Sequence, residues 1–396
     1  MSITNAQWAK AGSSVWMGGA KRPDLCFVRG QGSRLWDAEG REYLDFVGGW
    51  AVCALGHSPA VVANALAKQA STLLHCSPGY WNPPAIELAR KLSNLSGFER
   101  VFLGTTGAEA NECAIKLARK HGADRGAWKI VTTIDGFHGR TLATMSATGK
   151  PAWSDLFGPK VPGFAHVPPN DVEGLRAAVT EDVCAVMFEP VQGEGGVVPF
   201  STEFVHAARD ACDRVGALLV FDEVQTGMGR CGTWFAYQGM GVRPDVLTLG
   251  KGLGAGYPLS ACLTDGRFDG FEPGDQGGTF TYHPLGAAVG LAAIAEMERL
   301  DLVDTVRSKG ESLQALLSGL AAKHGLHGLR GSGLLSAFDL PEPLGQKLVE
   351  AARDGGLLLN SPRPASIRLM PPLVVTTSEI DEFGQKLDRA LEDLRS

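Results

Sequence analysis

From about residue 100 to 265, short apolar runs alternate with longer stretches in which apolar side chains recur every three or four positions. The runs are Val101–Leu103, Ile130–Thr133, Val183–Phe188, Ala217–Phe221 and Val246–Leu249. Each is too short for a helix and is bounded by polar or glycine-bearing segments, so each predicts a strand. Between them, Ala108–His121 places Ala110, Cys113, Ala114 and Leu117 at i, i+3, i+4 and i+7, and Phe204–Val215 carries a second helical pattern. Strands and helices in alternation predict an α/β fold, with a mostly parallel sheet flanked by helices on both faces.

The flanks read differently. Gly30–Phe46 predicts short strands around the turn Asp37-Ala38-Glu39-Gly40, followed by helices at Ala60–Thr72 and Pro84–Leu95. Downstream, Leu285–Leu300 and Leu302–His324 predict helices, Gly333–Asp339 and Ile367–Met370 strands, and Glu379–Arg395 a closing helix. This tail predicts a separate, smaller α+β unit, with the boundary near residues 285–300.

Composition narrows the function. With 44% hydrophobic and 20% charged residues over 396 positions, the chain reads as globular rather than disordered or fibrous. A net charge of −6 without any basic block gives no footprint for nucleic acid. The long uncharged stretch Gln276–Ala295 contains Tyr282, His283 and Pro284, so no membrane span is expected. The first residues lack a continuous apolar segment, which predicts a cytoplasmic protein. Eight scattered cysteines with no C-x-x-C spacing predict reduced, mostly buried thiols, without disulfides and without a metal site. The 51 glycines, spread along the chain, predict many tight turns and close backbone approaches to a ligand.

In an open parallel sheet, ligands bind beyond the carboxyl ends of the strands. Those ends carry Gly104-Thr105-Thr106-Gly107, Glu189, Asp222 and Gly250-Lys251. Alone, Lys251 reads as a solvated loop lysine, and its glycine-rich surroundings match neither a phosphate loop nor a dinucleotide fingerprint. Alone, Asp222 reads as a cap or a rim ion pair. Together they supply what pyridoxal phosphate requires: an amine able to form a Schiff base, and a carboxylate able to hold the pyridine nitrogen protonated. At about 3 Å and an effective dielectric near 20, that ionic contact amounts to several kcal/mol. Thr106, Gly107 and Ala108 open a helix whose free N–H groups suit a phosphate, although a simple threonine cap explains the same residues.

Asp222-Glu223-Val224-Gln225-Thr226-Gly227, followed by Lys251 within Thr248-Leu249-Gly250-Lys251-Gly252-Leu253-Gly254-Ala255-Gly256-Tyr257-Pro258, resembles the cofactor region of class III pyridoxal-phosphate aminotransferases. The resemblance runs from about Gly30 to Thr376 and is strongest to the acetylornithine aminotransferases within that family. It implies a fold type I enzyme with a large cofactor-binding domain over 51–290, a small domain over 291–396, and an N-terminal segment 1–50 packing with the small one. It also implies that Lys251 carries pyridoxal 5'-phosphate, that Asp222 pairs with the ring nitrogen, that Gln225 sits near the ring hydroxyl and that Phe137 stacks on the ring. Thr106, Gly107, Ala108 and Glu189 would complete the cofactor site, and Thr279 would reach the phosphate of a second subunit, making the protein a homodimer.

For substrates, the resemblance implies that Arg368 and Arg140 grip the two carboxylates of glutamate or 2-oxoglutarate. Glu194 would mask Arg368 when a donor presents its terminal amine. The favoured donor is N-acetylornithine. Ornithine, succinylornithine and 4-aminobutyrate are the alternatives, as are an aminomutase or racemase on the same scaffold. Without the resemblance, the arginines and Glu194 read as rim salt bridges. Trp50 stands where the family usually has an aliphatic residue or a tyrosine, and Trp81 is bulky for its position; both read either as core indoles or as walls of the donor pocket.

Overall fold

The computed structural model describes residues 3–394. Its central sheet has seven strands in the order Arg100–Gly104, Ser260–Thr264, Val246–Leu249, Leu218–Asp222, Val183–Phe188, Lys129–Thr133, Phe164–Val167. All run parallel except Ser260–Thr264, which pairs antiparallel with both neighbours. The predicted strands all appear, within a residue or two. In this sheet two strands, Ser260–Thr264 and Phe164–Val167, were not foreseen. Only about ten residues separate Val246–Leu249 from Ser260–Thr264, too few for the crossover that a parallel return requires, so the chain comes back antiparallel.

Val183–Phe188, Leu218–Asp222, Val246–Leu249 and Ser260–Thr264 are buried at every position, as expected for strands covered on both faces. The helix Gly107–Gly122 packs on this sheet through Ala110, Cys113, Ala114, Leu117 and Ala118, small side chains that allow close approach. Thr202–Val215 covers the opposite face; Ser201 caps its start and Gly216, at φ +68°, ends it in the left-handed region.

Helices Ala60–Ala70, Pro83–Ser96 and Pro284–Arg299 pack together, and Leu302–His324 packs on the closing helix Thr377–Asp393. Arg395, the expected end of that last helix, lies outside the described residues. Phe27–Gln31, Arg34–Asp37 and Glu42–Asp45 form an antiparallel meander, and Leu357–Leu358 adds to it in parallel beside Leu44 and Asp45. The N-terminal strands therefore share a sheet with a strand from the C-terminal third of the chain. Phe46 stacks on Phe383 with ring centroids 4.1 Å apart across that junction.

A further four-stranded sheet follows the order His327–Ser332, Leu335–Asp339, Ser366–Leu369, Asn360–Arg363. The strand expected over Gly333–Asp339 begins only at Leu335. Gly333 instead makes the hairpin turn at φ +56°, where an added Cβ would lie 2.6 Å from the Arg230 carbonyl. Among the eight cysteines, Cys113, Cys184, Cys212 and Cys262 are buried and the other four are partly exposed. Among the described residues no helix is long and apolar enough to cross a membrane.

Candidate active site

The parallel strands deliver their carboxyl ends to one edge of the large sheet, and the expected residues collect there. Asp222 closes its strand directly opposite Thr248 and is 3% exposed. Its Oδ2 accepts from Asn111 Nδ2 at 2.7 Å and contacts His138 Nδ1 at 2.8 Å; Oδ1 accepts from the Val224 N–H at 3.0 Å and, weakly, from Thr248 Oγ1 at 3.4 Å. Asn111 is itself fixed, donating to the His138 carbonyl at 2.7 Å and accepting from Thr248 Oγ1 at 2.7 Å. The carboxylate is thus aimed rigidly, and Oδ1, which holds the weaker contacts, keeps capacity for another donor.

Lys251 follows Gly250 in the short turn Lys251–Leu253 with φ +43°, an uncommon conformation for a residue with a side chain. No carboxylate lies within ion-pair distance of its amine among the described residues. Burial pushes that amine down to about 8, helped by the positive charge of Arg368 and opposed by Glu194, Glu189 and Asp222. Roughly a tenth of the amine is therefore neutral at pH 7, a far larger share than for an ordinary lysine.

The helix opening at Gly107 lies against this lysine turn: a Cβ added to Gly250 would sit 3.5 Å from Gly107 Cα. At Gly107 itself a Cβ would come within 2.7 Å of Val224, so only glycine lets the two loops meet. Of the three expected anion-binding residues, Thr106 is already engaged. Its hydroxyl accepts from the Glu109 N–H at 3.3 Å while Glu109 Oε2 accepts from the Thr105 and Thr106 N–H groups at 2.9 and 2.7 Å. Among the described residues the N–H groups of Gly107 and Ala108 have no partner, and they point out of the positive end of the helix. A phosphate seat at this turn therefore rests on two backbone donors, with the Thr106 hydroxyl serving the cap.

Glu189, 5% exposed, accepts from the Phe137 N–H at 3.0 Å and the Gly193 N–H at 3.2 Å, tying the two loops that frame the cleft. Burial raises its carboxyl to about 7. Phe137 meets Trp153 edge-on at 6.1 Å, and the guanidinium of Arg140, exposed to solvent, stacks 4.0 Å over the Trp153 ring. Arg140 has no acidic partner within ion-pair distance among the described residues.

Arg368 is completely buried. Asn360 Oδ1 accepts from its Nε and Nη2 at 3.0 and 2.9 Å, Gln225 Oε1 from Nη1 at 3.3 Å, and Glu194 Oε1 from Nη2 at 2.6 Å. Burial alone would raise the Glu194 carboxyl, but the charges of Arg368 and Lys150 outweigh it and hold the group below the ordinary carboxylate range. Gln225 is packed tightly: a Cβ on Gly193 would lie 1.8 Å from its Oε1.

Two expected residues stand apart. Thr279 is exposed in a turn, and among the described residues it makes no hydrogen bond to the groups above. Trp50 is 58% exposed at φ +60° in the left-handed turn Gly48–Ala51, which touches the Lys251 turn; Trp81 is 91% exposed. Neither tryptophan is a core residue in the chain.

Sequence reasoning assigned no role to Asn111, His138, Thr248, Asn360, Lys150 or Trp153. A signal existed for Asn111: it lies on the helix stripe otherwise filled by alanine, cysteine and leucine, and a polar side chain on a buried stripe needs a partner. Asn360 carried no comparable signal, because the hairpin pairing alone brings it opposite Arg368.

A sequence profile of the family described as Aminotransferase class-III matches residues 17–391. The acetylornithine aminotransferase 2 of Bordetella bronchiseptica is 49% identical over 379 residues, covering 94% of this chain and 96% of that protein. A succinylornithine transaminase/acetylornithine aminotransferase of Pseudomonas aeruginosa is 43% identical over 375 residues, covering 93% and 92%. The crystal structure of the ornithine aminotransferase from Toxoplasma gondii superimposes with a TM-score of 0.94 at 30% identity, covering 99% of this chain and 96% of that one.

Proposed function

Because the chain belongs to the class III aminotransferases, enzymes of fold type I that depend on pyridoxal 5'-phosphate, we propose that it moves the terminal amino group of N-acetylornithine, or a related ω-amino donor, to 2-oxoglutarate. The products are the corresponding semialdehyde and glutamate. The names of the relatives at 43% and 49% identity support this donor. The observation that carries the reading is the 2.6 Å pair between Glu194 and the immobile, buried Arg368: a carboxylate-binding cation that can be covered when the donor does not need it.

The residues fit the cofactor. The free N–H groups of Gly107 and Ala108 suit its phosphate, the braced Asp222 carboxylate suits a protonated ring nitrogen, and Lys251 offers an amine that burial makes easier to deprotonate. Phe137 would cover one face of the ring. When bound, pyridoxal phosphate supplies the carbonyl that accepts the amino group and the cationic ring that stabilises negative charge on the substrate carbon. The chain does the rest. Lys251, in its free-base form, would take the proton from the substrate carbon bearing the amine and deliver it to the cofactor carbon within the same half-reaction, and would run that transfer backwards in the second. Asp222, fixed by Asn111 and His138, would pair with the ring nitrogen.

Glutamate would present one carboxylate to Arg368 and the other to Arg140, whose guanidinium lies free over Trp153. For an ω-amine donor, Glu194 would keep Arg368 neutralised, leaving Arg140 to hold the donor carboxylate. The exposed Thr279, Phe280, Tyr80 and Trp81 support a homodimer in which the Thr279 loop completes the partner's phosphate site.

Borohydride treatment of the holoenzyme followed by peptide mass spectrometry should place the label on Lys251, and Lys251→Ala should lose turnover. A panel of acetylornithine, ornithine, succinylornithine and 4-aminobutyrate, each with 2-oxoglutarate, should favour acetylornithine in kcat/KM. Conversion of one of these without 2-oxoglutarate would instead identify an aminomutase.

A further inference from the structure

Glu194 sits between two cations. One oxygen, Oε1, takes Arg368 at 2.6 Å, and the other, Oε2, faces the Lys150 ammonium at 3.4 Å. The two cations are held differently. Arg368 is pinned by Asn360 and Gln225 in the interior strand Ser366–Leu369. The Lys150 side chain is partly exposed, with its ammonium 4.9 Å over the Trp153 ring and 5.4 Å over the Phe137 ring. Pro151 starts the short turn Pro151–Trp153 that carries the indole back beneath that ammonium. No other carboxylate lies within 4 Å of Lys150 among the described residues.

Glu194 is the part free to move. It is itself partly exposed and stands in Gly193-Glu194-Gly195-Gly196, with glycine on both sides. When a substrate carboxylate takes Arg368, Glu194 has to leave, and a carboxylate released without a partner in a half-buried site is costly.

We propose that Lys150 is the positioning residue that receives Glu194 when Arg368 binds a substrate carboxylate, and so sets the balance between the two substrate classes. This rests on the masking role of Glu194 given above. Lys150 touches neither reacting carbon nor substrate; it lowers the cost of the open arrangement. Its loss therefore penalises dicarboxylates, which need Arg368 open, and spares ω-amine donors, which need it covered.

The test uses holoenzyme and glutarate, an unreactive dicarboxylate, together with KM values for 2-oxoglutarate and acetylornithine. In K150Q, glutarate binding by calorimetry should weaken about tenfold and the KM for 2-oxoglutarate should rise about tenfold, with the acetylornithine KM within about twofold of wild type. K150R should restore glutarate binding and the KM for 2-oxoglutarate. In an E194A background, K150Q should change none of them, because the carboxylate to be received is gone. If K150Q weakens glutarate equally with or without Glu194, Lys150 acts on the ligand through its charge alone and the proposal is overturned. If E194A shifts the balance between 2-oxoglutarate and acetylornithine but K150Q does not, Lys150 has no such role while masking by Glu194 stands. If E194A leaves both substrates unchanged, masking fails and the Lys150 role fails with it.

Discussion

Replacing Arg368 with methionine removes the guanidinium while filling most of its volume, so the effect on substrate can be separated from a cavity. A carboxylate held by a planar, buried guanidinium gains two charge-assisted hydrogen bonds, each contributing about 1.5–2 kcal/mol. Losing both costs about 3–4 kcal/mol, or roughly 10²- to 10³-fold in kcat/KM for glutamate. The donor half-reaction, in which Glu194 already covers Arg368 at 2.6 Å, should change only a few-fold.

The same substitution has a second consequence. After burial, the Arg368 charge is the main influence holding the Lys251 amine down at about 8, against the pull of Glu194, Glu189 and Asp222. In Arg368→Met that amine should therefore rise toward the ordinary value of about 10.4. Attachment of pyridoxal phosphate to the apoprotein requires the free base. Its rate should increase with pH and level off above about 8 in the wild type, with the plateau displaced to higher pH in the variant. Single-turnover absorbance for each half-reaction and apoprotein reconstitution across pH 6–10 measure the two effects. Equal losses for glutamate and acetylornithine, or a reconstitution profile that does not move, would falsify the placement of Arg368 as both carboxylate grip and neighbour of the lysine.

Gly193→Ala should displace Gln225, since the new methyl would lie 1.8 Å from its Oε1; a displacement of more than an ångström should lower kcat/KM about a hundredfold with modest loss of stability, and wild-type kinetics would show that the loop simply yields. Away from the cleft, burial alone would lower the His57 imidazole, but its 2.7 Å contact with Asp45 prevails and raises it to about 9. A raised imidazole stabilises the fold fully below its unfolded value of about 6.5, and that stability is lost as the pH climbs through about 9. His57→Gln should therefore lower Tm at pH 6 by an amount equivalent to about 2–3 kcal/mol, with the gap closing by pH 10; a gap that stays constant with pH would rule out the ion pair as its source.

The strand runs and the helix stripes were legible because both depend on short-range periodicity, and the sheet edge that bears the site followed from the parallel order they imply. Lys251, Asp222, Gln225, Glu194 and Arg368 could be named because they stand at strand ends or in motifs with a family likeness. The Thr106 cap was legible as well. Thr106 and Glu109 form a capping box that sequence spacing already offered, and the box leaves the two following N–H groups, not the hydroxyl, for a ligand. The tryptophans were undecidable from sequence, because an indole in a core and an indole at a mouth have the same local pattern.

What the amino-acid sequence determined by itself was local: where strands and helices run, which residues stand at their ends, and which chemical groups are on offer. Tertiary structure decided which of those groups face each other. Asn111 against Asp222, Asn360 against Arg368 and Lys150 against Glu194 are pairs separated by 111, 8 and 44 positions, and each depends on how sheets and loops close in space. The pull of burial on Lys251 has the same origin: a lysine beside glycines is solvated until the surrounding elements exclude water and bring Arg368 near, and only then does its amine become a base.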